Sequence, residues 1–237
     1  MSVRRRAYLR VKRVVDIVVS GAGLLVTAPA MAAVAVAVRR DLGSPVLFRQ
    51  VRPGRDGRPF ELVKFRTMRT LSSSDGVDTD AERLTPFGRW LRSTSLDELP
   101  TLWNVLRGDM SLVGPRPLLM EYLDRYTPEQ FRRHEVRPGI TGLAQVRGRN
   151  ALSWEEKFAA DVEYVDTAGP VLDARILLTT LLTVLRREGI SAPGLATMHL
   201  FTGSPDVINS SGNDADLGEG RADVDHRGTG ADRHDAA

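Results

Sequence analysis

The sequence predicts an α+β protein: a compact, helix-rich domain with one short β-hairpin, anchored by an N-terminal, proline-kinked membrane helix that enters and leaves on one face. Three observations carry this. Residues 17–38 form an uncharged run, IVVSGAGLLVTAPAMAAVAVAV. Two β-rich stretches around a turn follow it, and beyond residue 96 apolar residues recur at helical spacing between capping signals. With 237 residues and 42% apolar content the chain has material for a real core. The reading divides it into a basic N-terminus with the membrane helix (1–40), a folded domain (41–202) and an acidic, disordered tail (203–237).

As a helix, the apolar run would reach about 33 Å, enough to cross a bilayer core. Arg4, Arg5, Arg6, Arg10, Lys12 and Arg13 precede it, and Arg39 and Arg40 follow. Basic residues favour the cytoplasmic side, so the two ends compete for one face. Pro29 lies inside the run, where it removes a backbone hydrogen bond and bends a helix. A re-entrant helix resolves the conflict. A single-pass span is the main alternative; a secretory signal peptide fits less well, because its apolar core is shorter and arginine seldom follows closely.

Next, PVLFRQVRPGRDGRPFELVKFRTM reads as two strands around a Pro/Gly/Asp turn. Residues 71–80, LSSSDGVDTD, form a polar loop. Helices are expected over 96–107, ended by Gly108, and over 117–126, 128–135 and 153–165. Thr127-Pro128-Glu129-Gln130 and Ser153-Trp154-Glu155-Glu156 both have capping-box spacing. Trp154, Phe158, Val162 and Val165 repeat as a core stripe. A last helix, residues 172–187, carries a wide apolar face that suits either a membrane surface or a core.

Composition narrows the chemistry. There is no cysteine, which excludes disulfides, thiolate metal sites and thiol nucleophiles. Of the four histidines, His226 and His234 lie in the tail, so a Ser-His-Asp triad or a multi-histidine metal site has little support. Basic residues number 33, and all but Lys12, Lys64 and Lys157 are arginine, the cation that grips phosphate bidentately. The tail holds eight acids against three arginines, so the formal charge of +3 conceals a strongly basic body. An anionic partner is expected.

The stretch LRSTSLDELPTLWNVLRGDMSLVGPRP sets Asp97 and Glu98 side by side ahead of an apolar run. Ser95 and Glu98 have capping-box spacing, so the acids could simply cap a helix. Pro100 opposes that reading; if the helix begins at Pro100, both acids stand just before its N-terminus. Around them lie Lys64 and Arg66 in KFRTM, Arg92, Arg116 between two prolines, Arg137 in RPG, and Arg147 and Arg149 in RGRN.

GSPVLFRQ, KFRTM, SLDELPTLWNVLRGDMSLVGPRPLL, VRPGITGLAQVRGRN and SWEEKFAADVEYVD, in this order after a basic-flanked apolar segment, resemble the bacterial sugar transferases, monotopic phosphoglycosyl transferases of the small single-domain type. The resemblance covers roughly residues 8–190. It implies that 41–202 is a catalytic domain on the cytoplasmic face of a bacterial inner membrane. There a UDP-sugar would give sugar 1-phosphate to undecaprenyl phosphate, releasing UMP and priming the assembly of an exopolysaccharide, O-antigen or glycoprotein glycan. It further implies that Asp97 is the nucleophile, forming a covalent aspartyl-phosphosugar, and that Glu98 holds Mg2+. Lys64, Arg66, Arg92, Arg116, Arg137 and Arg149 would bind phosphate or substrate. An ordinary aspartate is ionised at neutral pH and needs no activating base.

One departure concerns topology: the family's bend is marked by Ser-Pro, where this chain has Ala28-Pro29, with Thr27 as a substitute donor. No room is expected for the multi-span N-terminal region of larger members, and a homodimer is compatible with the pattern. The segment RGRNALSWEEKF looks most like members using N-acetylated amino sugars. Two rival classes stand beside this one: a membrane-anchored scaffold or nucleic-acid binder, which the low aromatic content of 6% disfavours, and a magnesium-dependent phosphohydrolase, which would need no lipid acceptor.

Overall fold

The computed structural model describes residues 3–69, 80–148, 151–186 and 200–203. Arg149, most of the 71–80 loop, the end of the last helix and nearly all of the acidic tail lie outside the described residues.

A 40-residue helix, α1 (Val3–Leu42), contains the whole apolar run and Pro29. It is long and apolar enough to cross a membrane, and only 11% of its most apolar window is buried. Both ends are nevertheless fastened to the rest of the chain. Near the start, Arg13 donates to Val105 O and Leu106 O at 2.6 and 2.8 Å, and Asp16 Oδ1 accepts from Ser111 Oγ and Leu112 N. At the other end Val38 is fully buried in a cluster with Val34, Phe65 and Leu91. There Arg66 donates to Leu42 O and Ser44 O, and Thr85 Oγ1 to Asp41 Oδ2. Between these ties Val14, Val18, Leu25, Val26 and Val36 face outward.

Strands β1 (Leu47–Pro53) and β2 (Pro59–Phe65) form the expected antiparallel hairpin, with Leu47 opposite Phe65. Asp56 and Gly57 take positive φ at its turn, the conformation that Asp and Gly tolerate best. Short helices α2 (Asp80–Arg83) and α3 (Pro86–Ser93) follow, then a 3-10 turn at Leu96–Glu98 and α4 (Thr101–Arg107). The capping-box reading of Ser95 fails: Ser95 is left-handed (φ 57) and its side chain caps nothing. The helix starts after Pro100, leaving both acids ahead of it.

Two strands too short to leave a periodic signal, β3 (Ser111–Val113) and β4 (Gly139–Thr141), pair in parallel. The helix expected over 117–126 is instead extended and then a 3-10 segment, Met120–Arg125. Pro115 and Pro117 remove backbone donors and bias the residues before them away from helix. Residues 128–135 split into α5 (Pro128–Phe131) and a 3-10 turn, and α6 (Leu143–Arg147) was not foreseen. Helix α7 (Trp154–Thr167) begins at the expected capping box, with Phe158, Val162 and Val165 buried. In α8 (Pro170–Arg186), Ile176 is buried in the main core while Leu178 and Leu181 are exposed.

That core joins Leu62, Val105, Met110, Val113, Leu143, Tyr164 and Ile176. A second, aromatic cluster sets Tyr122, Tyr126 and Phe158 around Phe201. At the β3–β4 crossing the backbones nearly touch: a Cβ on Gly114 would lie 2.4 Å from Arg137 O, and one on Gly139 only 2.1 Å from Gly114 N. Glycine is the residue that permits this approach. The glycines of VGPRP and RPGITG therefore bring these two segments together.

Candidate active site

The acid pair is placed by α4 gripping the free edge of β2. Thr101 Oγ1 donates to Val63 O at 3.0 Å, Asn104 Oδ1 accepts from Val63 N at 3.1 Å, and Asn104 Nδ2 donates to Glu61 O at 2.7 Å. Residue 63 being fixed to α4, its neighbour Lys64 is delivered to the turn before that helix. There Lys64 Nζ meets Glu98 Oε1 at 2.5 Å, and Arg116 Nη2 reaches the same oxygen at 3.1 Å. Arg92 stands near Asp97 and donates through Nε to Thr67 Oγ1 at 3.0 Å.

The two carboxylates differ sharply in character. Burial and the neighbouring charge of Glu98 push Asp97 up to about 6, against the partial relief of Lys64, Arg92 and Arg116. Asp97 is 8% exposed, and among the described residues its carboxylate accepts no hydrogen bond. Burial alone would also raise Glu98, but Lys64 and Arg116 outweigh it and hold Glu98 at about 2. Burial in turn lowers Lys64 below the ordinary lysine value, in spite of Glu98. The result is one carboxylate locked in an ion network and one left without a partner bond. The ordinary acidity assumed for Asp97 from sequence does not hold, yet at neutral pH it is still mostly ionised.

The structure thus brings together Asp97, Glu98, Lys64, Arg92 and Arg116. It places Arg66 at the end of α1, bonded to backbone carbonyls, and Arg147 in an exposed pair with Glu163 at 2.5 Å. Arg137 donates to Gly108 O at the far end of α4. Two residues of the site escaped sequence reasoning. Arg52 is brought down to about 10 by burial and by the nearby charge of Arg116, and its Nε is buried with no partner. Arg133, itself buried, donates to Arg116 O at 2.7 Å and pairs with Asp161 at 2.7 Å, so it holds the backbone that carries Arg116. The tetrapeptide Val-Arg-Pro-Gly occurs at both 51–54 and 136–139, a signal that could have drawn attention to Arg52.

Three cations, Lys64, Arg92 and Arg116, therefore stand about the two carboxylates, with Arg52 near Arg116 behind them, an excess of positive charge suited to a diphosphate. Among the described residues no group of three or more acids or histidines gathers as a metal cage. The acid pair fits a cation that takes one or two carboxylates and completes its shell with water and substrate phosphates, the habit of Mg2+.

Comparison with known proteins identifies the family. The model of the bacterial sugar transferase family matches residues 7–187. An uncharacterised sugar transferase of Bacillus subtilis, EpsL, is 58% identical over 171 residues, which cover 72% of this chain and 85% of the relative. A UDP-glucose:undecaprenyl-phosphate glucose-1-phosphate transferase of Caulobacter vibrioides is 42% identical over 190 residues, 75% of this chain and 70% of its own. An undecaprenyl-phosphate galactose phosphotransferase of Salmonella typhimurium is 38% identical over 206 residues, 79% of this chain and 43% of its own.

Proposed function

Because the chain belongs to the bacterial sugar transferase family, we propose that it transfers sugar 1-phosphate from a UDP-sugar to undecaprenyl phosphate, yielding UMP and undecaprenyl-diphosphate-sugar. The names of its relatives in Caulobacter and Salmonella support the reaction. The observation that carries the mechanism is the pairing of an unbonded, buried Asp97 with a Glu98 held by Lys64 and Arg116.

An Asp97 oxygen attacks the phosphorus nearest the sugar; the new O–P bond forms as the bond from that phosphorus to the UMP oxygen breaks. An oxygen of undecaprenyl phosphate then attacks the same phosphorus and displaces the Asp97 carboxylate. Poor solvation makes Asp97 a stronger base, and so a better nucleophile, than a carboxylate in water. Its obstacle is repulsion from the donor's diphosphate, which Arg116, Arg92 and Lys64 offset. Glu98 Oε1 engages Lys64 and Arg116, and the Glu98 carboxylate would also hold Mg2+, which when bound would supply further charge neutralisation to the diphosphate.

The membrane arrangement follows from α1. Helix α1 is hydrogen-bonded at residues 13 and 16, packed at 38 and hydrogen-bonded again at 41 and 42 to one folded domain, so both of its ends are held on the same body. This supports a re-entrant or interfacial course, and the basic residues at both ends of the helix favour the cytoplasmic face for the catalytic domain. Thr27 Oγ1 donates to Gly23 O at 2.7 Å, not to Leu25 O, the acceptor that Pro29 leaves without its helical donor. Exposed Trp90 in α3 and Trp103 in α4 are residues suited to a lipid–water boundary.

The deciding experiment incubates purified protein with Mg2+ and a panel of UDP-glucose, UDP-galactose and UDP-N-acetylated sugars, labelled in the sugar, without acceptor. We expect label to become bound to Asp97 and to chase onto undecaprenyl phosphate when that is added. Turnover with no labelled Asp97 would refute the covalent step, and release of free sugar phosphate without lipid would favour hydrolysis.

A further inference from the structure

A second cationic cleft lies at the opposite end of α4 from the acid pair. Since α4 and its flanking turns separate Leu99 from Gly108, the two places are about 13 Å apart at the helical rise. The cleft opens between the N-terminal part of α1, Ser111 of β3, residues 135–137 and the end of α7, with about 50 Å³ of space for solvent. That is several times what one water needs, and comparable to a tetrahedral oxyanion.

Its charges do not cancel locally. Arg13, Arg55 and Arg137 line it, and of the two acids in the lining Glu135 is paired with Arg132, which leaves Asp16 alone against the three arginines. Asp16 Oδ1 accepts from Ser111 Oγ at 3.1 Å and Leu112 N at 3.0 Å. Glu135 accepts from Arg132 at 3.1 Å, and Lys12, also in the lining, is matched by Asp173 at 2.6 Å. Capping the carbonyl end of α4 accounts for the two bonds of Arg13 and for Arg137 Nε on Gly108 O at 2.8 Å. It does not account for the remaining donors of Arg137, nor for Arg55, whose nearest acid is Asp56 at 3.7 Å. Burial, with Arg13 and Arg55 facing it, lowers Arg137 below the ordinary arginine value in spite of Asp16, as expected where guanidinium groups outnumber the acids.

We infer that Arg13, Arg55 and Arg137 form a phosphate-binding site separate from the acid pair, filled by the phosphate of an anionic phospholipid or by phosphate free in solution.

The test uses the full chain purified in lipid-free maltoside micelles. Melting temperature is followed while inorganic phosphate, or phosphatidylglycerol, is titrated into wild type and into Arg55→Gln, Arg137→Gln and Arg116→Gln. Loss of one charge-assisted contact should weaken binding about tenfold in Arg55→Gln and Arg137→Gln, whereas Arg116→Gln, which affects only phosphate bound at the acid pair, should keep most of the response. A response to phosphatidylglycerol alone assigns the lipid headgroup, and a response to both probes assigns phosphate in general. Arg55→Gln removes no hydrogen bond of the fold, so it stays informative if Arg137→Gln is unstable. The inference is overturned if neither probe shifts melting, if Arg55→Gln binds both like wild type, or if Arg116→Gln loses the response equally.

Discussion

Replacing Asp97 by asparagine separates what the fold tolerates from what the reaction requires. In the folded protein the carboxyl titrates near 6, against an ordinary value of 3.8. Each pKa unit corresponds to about 1.4 kcal/mol, so keeping Asp97 ionised in place costs the fold about 3 kcal/mol at neutral pH. The sign follows from linkage. The folded state binds this proton more tightly than the unfolded chain does, so the cost is absent below pH 3.8, grows between 3.8 and 6, and is complete above 6. Asparagine has nearly the same shape and no charge to desolvate. Asp97→Asn should therefore melt about 5–10 °C above wild type at pH 7.5 for a chain of this size, while the two should coincide near pH 4. Differential scanning at one fixed rate in micelles measures the difference, and UMP release measured beside it should fall to background. An equal or lower melting temperature for the variant at pH 7.5 would show that Asp97 is not held out of water, and the account of its reactivity would fail with it.

The rate of sugar phosphate transfer should rise with pH through about 6, where Asp97 ionises, and not near 4; Glu98, held at about 2, is already charged there and adds no limb. A pH profile of UMP release from pH 4.5 to 8 checks this. Gly114→Ala places a Cβ 2.4 Å from Arg137 O and should destabilise the fold by more than about 3 kcal/mol, whereas Gly169→Ala, with nothing nearer than 3.7 Å, should melt close to wild type. Arg133→Met leaves Asp161 charged and buried and should cost about 3–5 kcal/mol; Arg133→Met with Asp161→Leu should regain most of that stability but not the transfer rate, because Arg116 O has lost its donor. Thermal melts and kcat/KM on the same preparations separate the two effects.

What was legible in the sequence was local. The hairpin is declared by its turn residues, and α7 by a capping box whose two bonds, Glu156 N to Ser153 Oγ and Ser153 N to Glu156 Oε2, form as the spacing requires. The parallel pairing of β3 with β4 was not legible, because three-residue strands have no period and their register is fixed by glycine contacts between distant segments. The residue types of the site were visible, their partners were not. Arg66, Arg116 and Arg137 are not told apart by residue type, and the prolines beside Arg116 and Arg137 do not separate those two. In space the first clamps the end of α1, the second meets Glu98, and the third caps the far end of α4. Nothing short of tertiary structure tells a guanidinium that serves a carbonyl from one that faces a carboxylate.

The same logic explains why the site and the apolar helix are mechanically one object. Helix α4 carries the acids immediately ahead of its first turn, and its last turn is held by Arg13 of α1. Along its length the two helices pack closely, since a Cβ on Gly23 would come within 3.2 Å of Leu102 and one on Gly21 within 4.0 Å of Leu106. The height of Asp97 relative to the outward apolar face of α1 is then set by a seven-residue helix and not by a flexible linker. An acceptor whose phosphate sits at the headgroup level while its tail stays in lipid needs that fixed offset, because a reacting oxygen misplaced by even 1 Å loses much of the advantage of proximity. Small residues on α1 at positions 21 and 23 are accordingly part of how the reaction centre is positioned, although they touch no reacting atom.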